Sequence, residues 1–189
     1  MKQSFEAVFV EQCAPTLAGV KPSNLFRFQS SDSDTVKNAV SERDQGMRTY
    51  GLSVCLLKQC CKTGSFLIYT YRMEWIDRIL SEPDNLDFLK RSGYTVSNGF
   101  TGILRQFAER FYLERQFPHE IGLFLGYPLC DVVGFIENKG QNFTCRGYWK
   151  SYGDPDIAQK CYERYRKCTS IYKRLFEKGT PISRLIVAA

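Results

Sequence analysis

Three residues of this chain could together run nucleophilic chemistry. Cys13 opens a Cys-Ala-Pro-Thr run, His119 is the one histidine, and Asp154 lies further along. A thiol at a helix N-terminus loses its proton more readily, an imidazole beside it takes that proton, and a carboxylate orients the imidazole. The residue types thus admit a thiol-dependent, hydrolase-like enzyme with Cys13 as nucleophile, His119 as base and Asp154 as orienter. Each residue also has a plainer reading. A helix following Cys13 is stopped early by Gly19, Asp154 is a good helix cap, and His119 between Pro118 and Glu120 suits a turn.

A second kind of chemistry is binding. Between residues 118 and 150, Gly122, Gly126 and Gly147 allow close approach of a ligand or another backbone. His119, Glu120, Cys145, Tyr148, Trp149 and Lys150 supply polar and stacking groups around them. Such a site admits a nucleotide, an iron-containing cofactor or a haem, with His119 or a cysteine as an axial ligand. No Gly-x-Gly-x-x-Gly and no phosphate-binding loop of the Walker type occurs, so no nucleotide fingerprint narrows the choice. The competing reading makes this stretch the packed heart of the fold, with Trp149 a core aromatic.

Composition bounds the rest. Eight cysteines include no Cys-x-x-Cys pair, and with a single histidine the chain offers no zinc-site spacing, so no metal site is expected. The net charge of +6 is concentrated late: from residue 141 to 178 Lys and Arg outnumber Asp and Glu nine to four. That basic C-terminal segment, with the aromatics of Arg146-Gly-Tyr-Trp-Lys150, admits nucleic acid or an acidic partner. It also fits the solvated face of any surface helix. No run of eighteen apolar residues occurs, and Glu6 and Glu11 interrupt any leader-like apolar segment. The expectation is a cytoplasmic protein with its cysteines as thiols and no membrane association.

These groups need elements to position them. A short helix is expected over residues 4–12, a strand over 24–28, and a helix from Thr35 capped by Asp34. Residues 52–57 and 66–71 read as a hairpin around Lys62-Thr63-Gly64. Helical pieces over 74–80 and 84–90 divide at Pro83. Phe100, Ile103, Leu104, Phe107 and Phe111 mark an amphipathic helix over 99–115. The continuous apolar run 120–127 reads as a strand buried on both faces. Pro128 opens a helix with Asp131 in its first turn and Gly140 past its end, and residues 142–152 read as extended. Asp154, Pro155 and Gly179 delimit a last helix. Ala158, Cys161, Tyr162, Tyr165, Tyr172 and Phe176 lie on one face of it, and Lys160, Arg164, Lys167, Arg174 and Lys178 on the other. A terminal strand is expected over 183–187. The sum is one α/β (or α+β) domain over residues 1–189, a mixed sheet flanked by helices.

Two segments are distinctive together. One runs from Cys13 through Ala-Pro-Thr-Leu-Ala-Gly-Val-Lys-Pro-Ser-Asn-Leu to Phe26. The other runs from Pro118 through His-Glu-Ile-Gly-Leu-Phe-Leu-Gly-Tyr-Pro-Leu-Cys-Asp-Val-Val-Gly-Phe to Ile136, followed by Cys145-Arg-Gly-Tyr-Trp-Lys-Ser-Tyr152. Over nearly its whole length the chain resembles the domain-of-unknown-function family 3793 of anaerobic Firmicutes. The resemblance implies a bacterial cytosolic protein and implies no activity. Cys-Ala-Pro-Thr also resembles the Cys-Gly-Pro-Thr of bacteriocin-processing cysteine peptidases, and the order Cys13, His119, Asp154 is similar to that of papain-like enzymes.

Overall fold

The computed structural model describes residues 3–113 and 118–188. Its packing divides into two units, Met1–Trp75 with Tyr165–Ala189, and Ile76–Arg164.

The first unit is built on three strands, β1 (Ser23–Gln29), β2 (Leu52–Cys60) and β3 (Ser65–Arg72), in the order β1-β3-β2. The hairpin expected from Lys62-Thr63-Gly64 forms β2 and β3. Both ladders are antiparallel, pairing Phe26 with Ile68 and Leu56 with Ile68, so the sheet is not mixed although the α/β class holds. A bulge between Leu56 and Lys58 resets the alternation late in β2. Phe26, Val54, Phe66 and Ile68 share the face covered by helices α1 (Phe5–Leu17) and α2 (Ser33–Met47).

Helix α1 is longer than its local signals allow. Ser4 caps it, and it runs through Pro15 before Gly19 turns left-handed at φ 68°. Phe5, Phe9, Cys13 and Leu17 recur every fourth residue and are 7% exposed or less, so burial of one stripe outweighs the local cost of the proline. The cap of α2 is Asp32 rather than Asp34: its carboxylate accepts from the Asp34 and Thr35 amides at 3.1 and 3.0 Å. The expected terminal strand is instead a 3-10 turn, Ile182–Leu185. Ile182 and Leu185, three residues apart, are the buried pair, a spacing that fits a three-residue turn and not alternation. Beyond it, Val187 donates its amide to Leu17 at 2.9 Å.

Arg72 closes this unit. Its side chain is fully buried and donates to the carbonyls of Thr16, Leu17 and Val187 at 2.9, 3.1 and 2.7 Å. The cation thus sits against the carbonyl end of α1, where the helix dipole favours positive charge.

In the second unit, helices α3 (Met73–Ser81, from Ile76), α4 (Pro83–Arg91) and α5 (Gly99–Leu113) fall where the sequence places them. The expected extension of α5 to Arg115 lies outside the described residues. The apolar run 120–127 is no strand. It folds as a turn over residues 118–120 and a single helical turn, α6 (Ile121–Phe124), closed by Gly126 at φ 74°. Tyr127 and Gly126 donate their amides to Gly122 and Leu123 at 2.9 Å each, a pairing that needs Gly126 itself to be left-handed. Phe124 then stacks on Phe107 at 3.9 Å. Helix α7 (Leu129–Glu137) follows, and a minimal hairpin, β4 (Cys145–Arg146) with β5 (Lys150–Ser151), leads into α8 (Pro155–Glu177). Helix α8 starts in this unit and passes to the first at Tyr165.

Candidate functional site

A cleft of about 290 Å3 opens in the second unit between α6, α7 and the β4–β5 hairpin. Gly122 and Val132 form its base, and a Cβ on Gly122 would come within 2.6 Å of Val132 Cγ2, so the glycine lets α6 rest directly on α7. His119 and Phe135 form one wall, their rings 5.1 Å apart. Tyr127 and Trp149 form the other, stacked at 4.7 Å, with Tyr162 meeting the Trp149 ring edge-on at 4.6 Å. Gly147 allows this last contact, since a Cβ there would overlap the Tyr162 ring. Tyr162 also donates its hydroxyl to the Trp149 carbonyl at 2.9 Å. Arg146, Tyr148 and Lys150 line the rim.

Asp131 organises this arrangement. Its carboxylate, 4% exposed, turns from α7 to the hairpin. Oδ2 accepts the Trp149 indole N–H at 2.7 Å. Oδ1 accepts the Ser151 hydroxyl at 3.1 Å and the Tyr152 and Gly153 amides at 2.6 and 3.0 Å. Two-residue strands do not hold a hairpin by themselves. The buried carboxylate does, and its burial is tolerated because every donor it meets is a real hydrogen bond.

The residues singled out in the sequence therefore part company. His119, Tyr148, Trp149 and Lys150 line the cleft together. Glu120, the neighbour of His119, turns into the core instead. It takes 3.0 Å hydrogen bonds from Arg110 and the Tyr94 hydroxyl, with the Arg110 guanidinium 4.1 Å above the Tyr94 ring. That is a partly buried ion pair holding α5 to the turn before α6, and Glu120 is not among the residues lining the cleft. Cys145 is half-buried with its thiol directed to Gln159 Oε1 at 3.8 Å, and it too is absent from the lining. Asp154 caps α8, accepting from the Asp156 amide at 2.8 Å.

Cys13 belongs to the first unit and lies not at a helix start but within the last turns of α1, with no exposed surface. Burial pushes its thiol up to about 12, against smaller opposing effects of a hydrogen bond to Thr70 and the charge of Lys21. A thiol so placed is the reverse of an activated nucleophile. All eight cysteines are free thiols. The cations of α8 opposite its apolar face are exposed at Lys160, Arg164, Lys167, Arg174 and Lys178, while Lys173 pairs with Glu11 at 3.2 Å.

The model of one family, Protein of unknown function (DUF3793), matches residues 9–186. The chain belongs to this family. No curated protein and no solved structure matches it. The family supplies no reaction, so chemistry must be read from the cleft itself. Sequence reasoning passes over three of its residues: Tyr127 and Phe135 as walls and Asp131 as the hub. A usable signal exists for the hairpin, because Arg146 and Lys150 four residues apart around Gly147 are opposed in a tight two-stranded turn. Among the described residues no three His, Cys, Asp or Glu side chains gather as a metal site, and no helix is long and apolar enough to cross a membrane.

Proposed function

We propose that this chain is a small-molecule-binding protein whose ligand, a flat and largely apolar body, occupies the cleft between α6, α7 and the β4–β5 hairpin. One observation carries the reading: a concave, largely apolar space in which the rings of His119, Phe135, Tyr127 and Trp149 take part, with a few polar groups at its rim. That combination of apolar walls and sparse polar groups is how ligand sites are built. The volume, about 290 Å3, stands at the small end of such sites and suits one or two fused rings better than a haem.

The test uses N-phenyl-1-naphthylamine, a neutral probe that fluoresces in apolar surroundings. The chain has two tryptophans, Trp75 and Trp149, so Trp75→Phe leaves the indole of the cleft alone. Saturable one-to-one binding with quenching of Trp149 is the expected result, weakened several-fold by Tyr148→Ala at the exposed rim. Absence of saturable binding, or binding indifferent to Tyr148→Ala and Phe135→Ala alike, rejects the site.

A further inference from the structure

Three cationic or cation-forming side chains border the cleft: His119, Arg146 and Lys150. Two of them are set against each other by the backbone. Arg146 and Lys150 are direct cross-strand partners in the β4–β5 hairpin, so both side chains leave the same face, the one turned to the cleft. Like charges directly opposed on a ladder are destabilising, and the Asp131 carboxylate that holds the hairpin bonds its other donors and not these two cations. No polar partner for the Arg146 guanidinium or the His119 ring occurs among the described residues. Lys150 donates to the Gly140 carbonyl at 2.6 Å, just past the end of α7, and its ammonium faces the rings of Phe143 and Phe135 at 5.0 and 5.9 Å, with no carboxylate among these partners. The one carboxylate in the lining, Asp131, is committed to four hydrogen bonds from the hairpin and cannot serve as their counter-ion.

We infer that the ligand of this cleft is an anion: a flat apolar body carrying one carboxylate or phosphate group, held by Arg146 with Lys150 and His119 beside it. This rests on the reading of the cleft as a ligand site. The aromatic walls take the body, and the guanidinium meets the anionic oxygens through paired N–H donors. Binding also neutralises the Arg146–Lys150 opposition, so the anion stabilises the hairpin that holds it.

The experiment compares two probes with the same aromatic body. 8-Anilinonaphthalene-1-sulfonate carries an anionic group, and N-phenyl-1-naphthylamine does not. The sulfonate binds roughly tenfold or more tightly if a charged hydrogen bond forms. Arg146→Gln removes that advantage, weakening the sulfonate roughly tenfold more than it weakens the neutral probe. Arg78→Gln, an exposed cation on α3, changes neither, which separates the cleft from net charge. Circular dichroism melts of each variant confirm that it is folded, and Lys150→Gln gives a second route to the same loss. Displacement of the sulfonate probe by 1-naphthoate or 1-naphthyl phosphate supports the inference, and the tighter competitor names the headgroup. Equal affinity for the two probes, or equal displacement by neutral 1-naphthol, overturns it while leaving the cleft intact. Failure of both probes to bind rejects the cleft itself.

Discussion

Replacing Asp131 should unfasten the cleft, and the size of the effect can be worked from its partners. Besides the weak Cys130 thiol contact at 4.0 Å, the wild-type carboxylate serves four donors: the Trp149 indole, the Ser151 hydroxyl and the Tyr152 and Gly153 amides. Asp131→Ala strands all four. A buried donor left unpaired costs about 1–3 kcal/mol, but Trp149, Tyr152 and Gly153 are only half-buried and water will reach some of them. A total of about 3–4 kcal/mol follows. Asp131→Asn keeps Oδ1 for three donors and turns an amide N–H against the Trp149 indole N–H. One hydrogen bond is lost and two donors face each other, a cost of about 1–2 kcal/mol. Urea unfolding followed by circular dichroism ranks the three proteins, with Trp149 emission in the Trp75→Phe background reporting on the second unit. Hydrogen exchange at Tyr152 and Gly153 should accelerate in the alanine variant ahead of global unfolding. A loss under about 1 kcal/mol for alanine, or equal losses for alanine and asparagine, would refute the claim that this carboxylate holds the hairpin.

Other consequences are more local. Gly147→Ala forces a methyl into the Tyr162 ring and should cost about 2 kcal/mol, partly recovered by Tyr162→Leu; stability measured in urea decides it. Thiol labelling at pH 8 should separate the cysteines. Burial pushes Cys13 and Cys55 up to about 12, leaving a thiolate fraction roughly a thousandfold below that of an ordinary thiol, whereas the Thr63 hydroxyl and the Thr63 and Lys62 amides draw Cys60 down. Peptide mass spectrometry after iodoacetamide should therefore find Cys60 alkylated in the native protein and Cys13 only after denaturation; early modification of Cys13 would restore it as a candidate nucleophile. Asp44 gives a pH dependence. Burial alone would raise its carboxyl, but the Ser53 hydroxyl, the Val54 amide and Arg48 together lower it. A lowered folded pKa contributes stability that is present above the unfolded value of about 3.9 and lost as pH falls through the folded one. The stability gap between wild type and Asp44→Asn at pH 7 should accordingly narrow in urea melts at pH 3.

What the sequence discloses follows from how far each signal reaches. Helix α8 is legible because Asp154, Pro155 and Gly179 act on their own neighbours, and the β2–β3 hairpin because Gly64 sits in the turn that joins the strands it orders. The run 120–127 misleads because an unbroken apolar stretch has no period to separate strand from buried helix. Its glycines, which suit a strand approached closely, are instead the seat of Val132 and the left-handed end of α6. Cys13 stands out by its residue type, yet Phe5, Phe9, Cys13 and Leu17 lie on one helical stripe. That periodicity is present in the sequence and argues by itself for a core thiol. Glu120 and Asp131 are harder, because the partners that fix their roles lie elsewhere in the chain: Arg110 ten residues before Glu120, and the hairpin donors 18 to 22 residues after Asp131. For Asp131 a sufficient local account exists, an acid in the first turn of a helix, and nothing nearby contradicts it. The group that assembles the cleft is thus hidden by a role that is adequate for its helix and silent about its hairpin. Arg146 and Lys150 sit between these cases. Their spacing gives a shared face once a turn is placed at residues 147–149, and that turn depends on the distant carboxylate of Asp131 that anchors it.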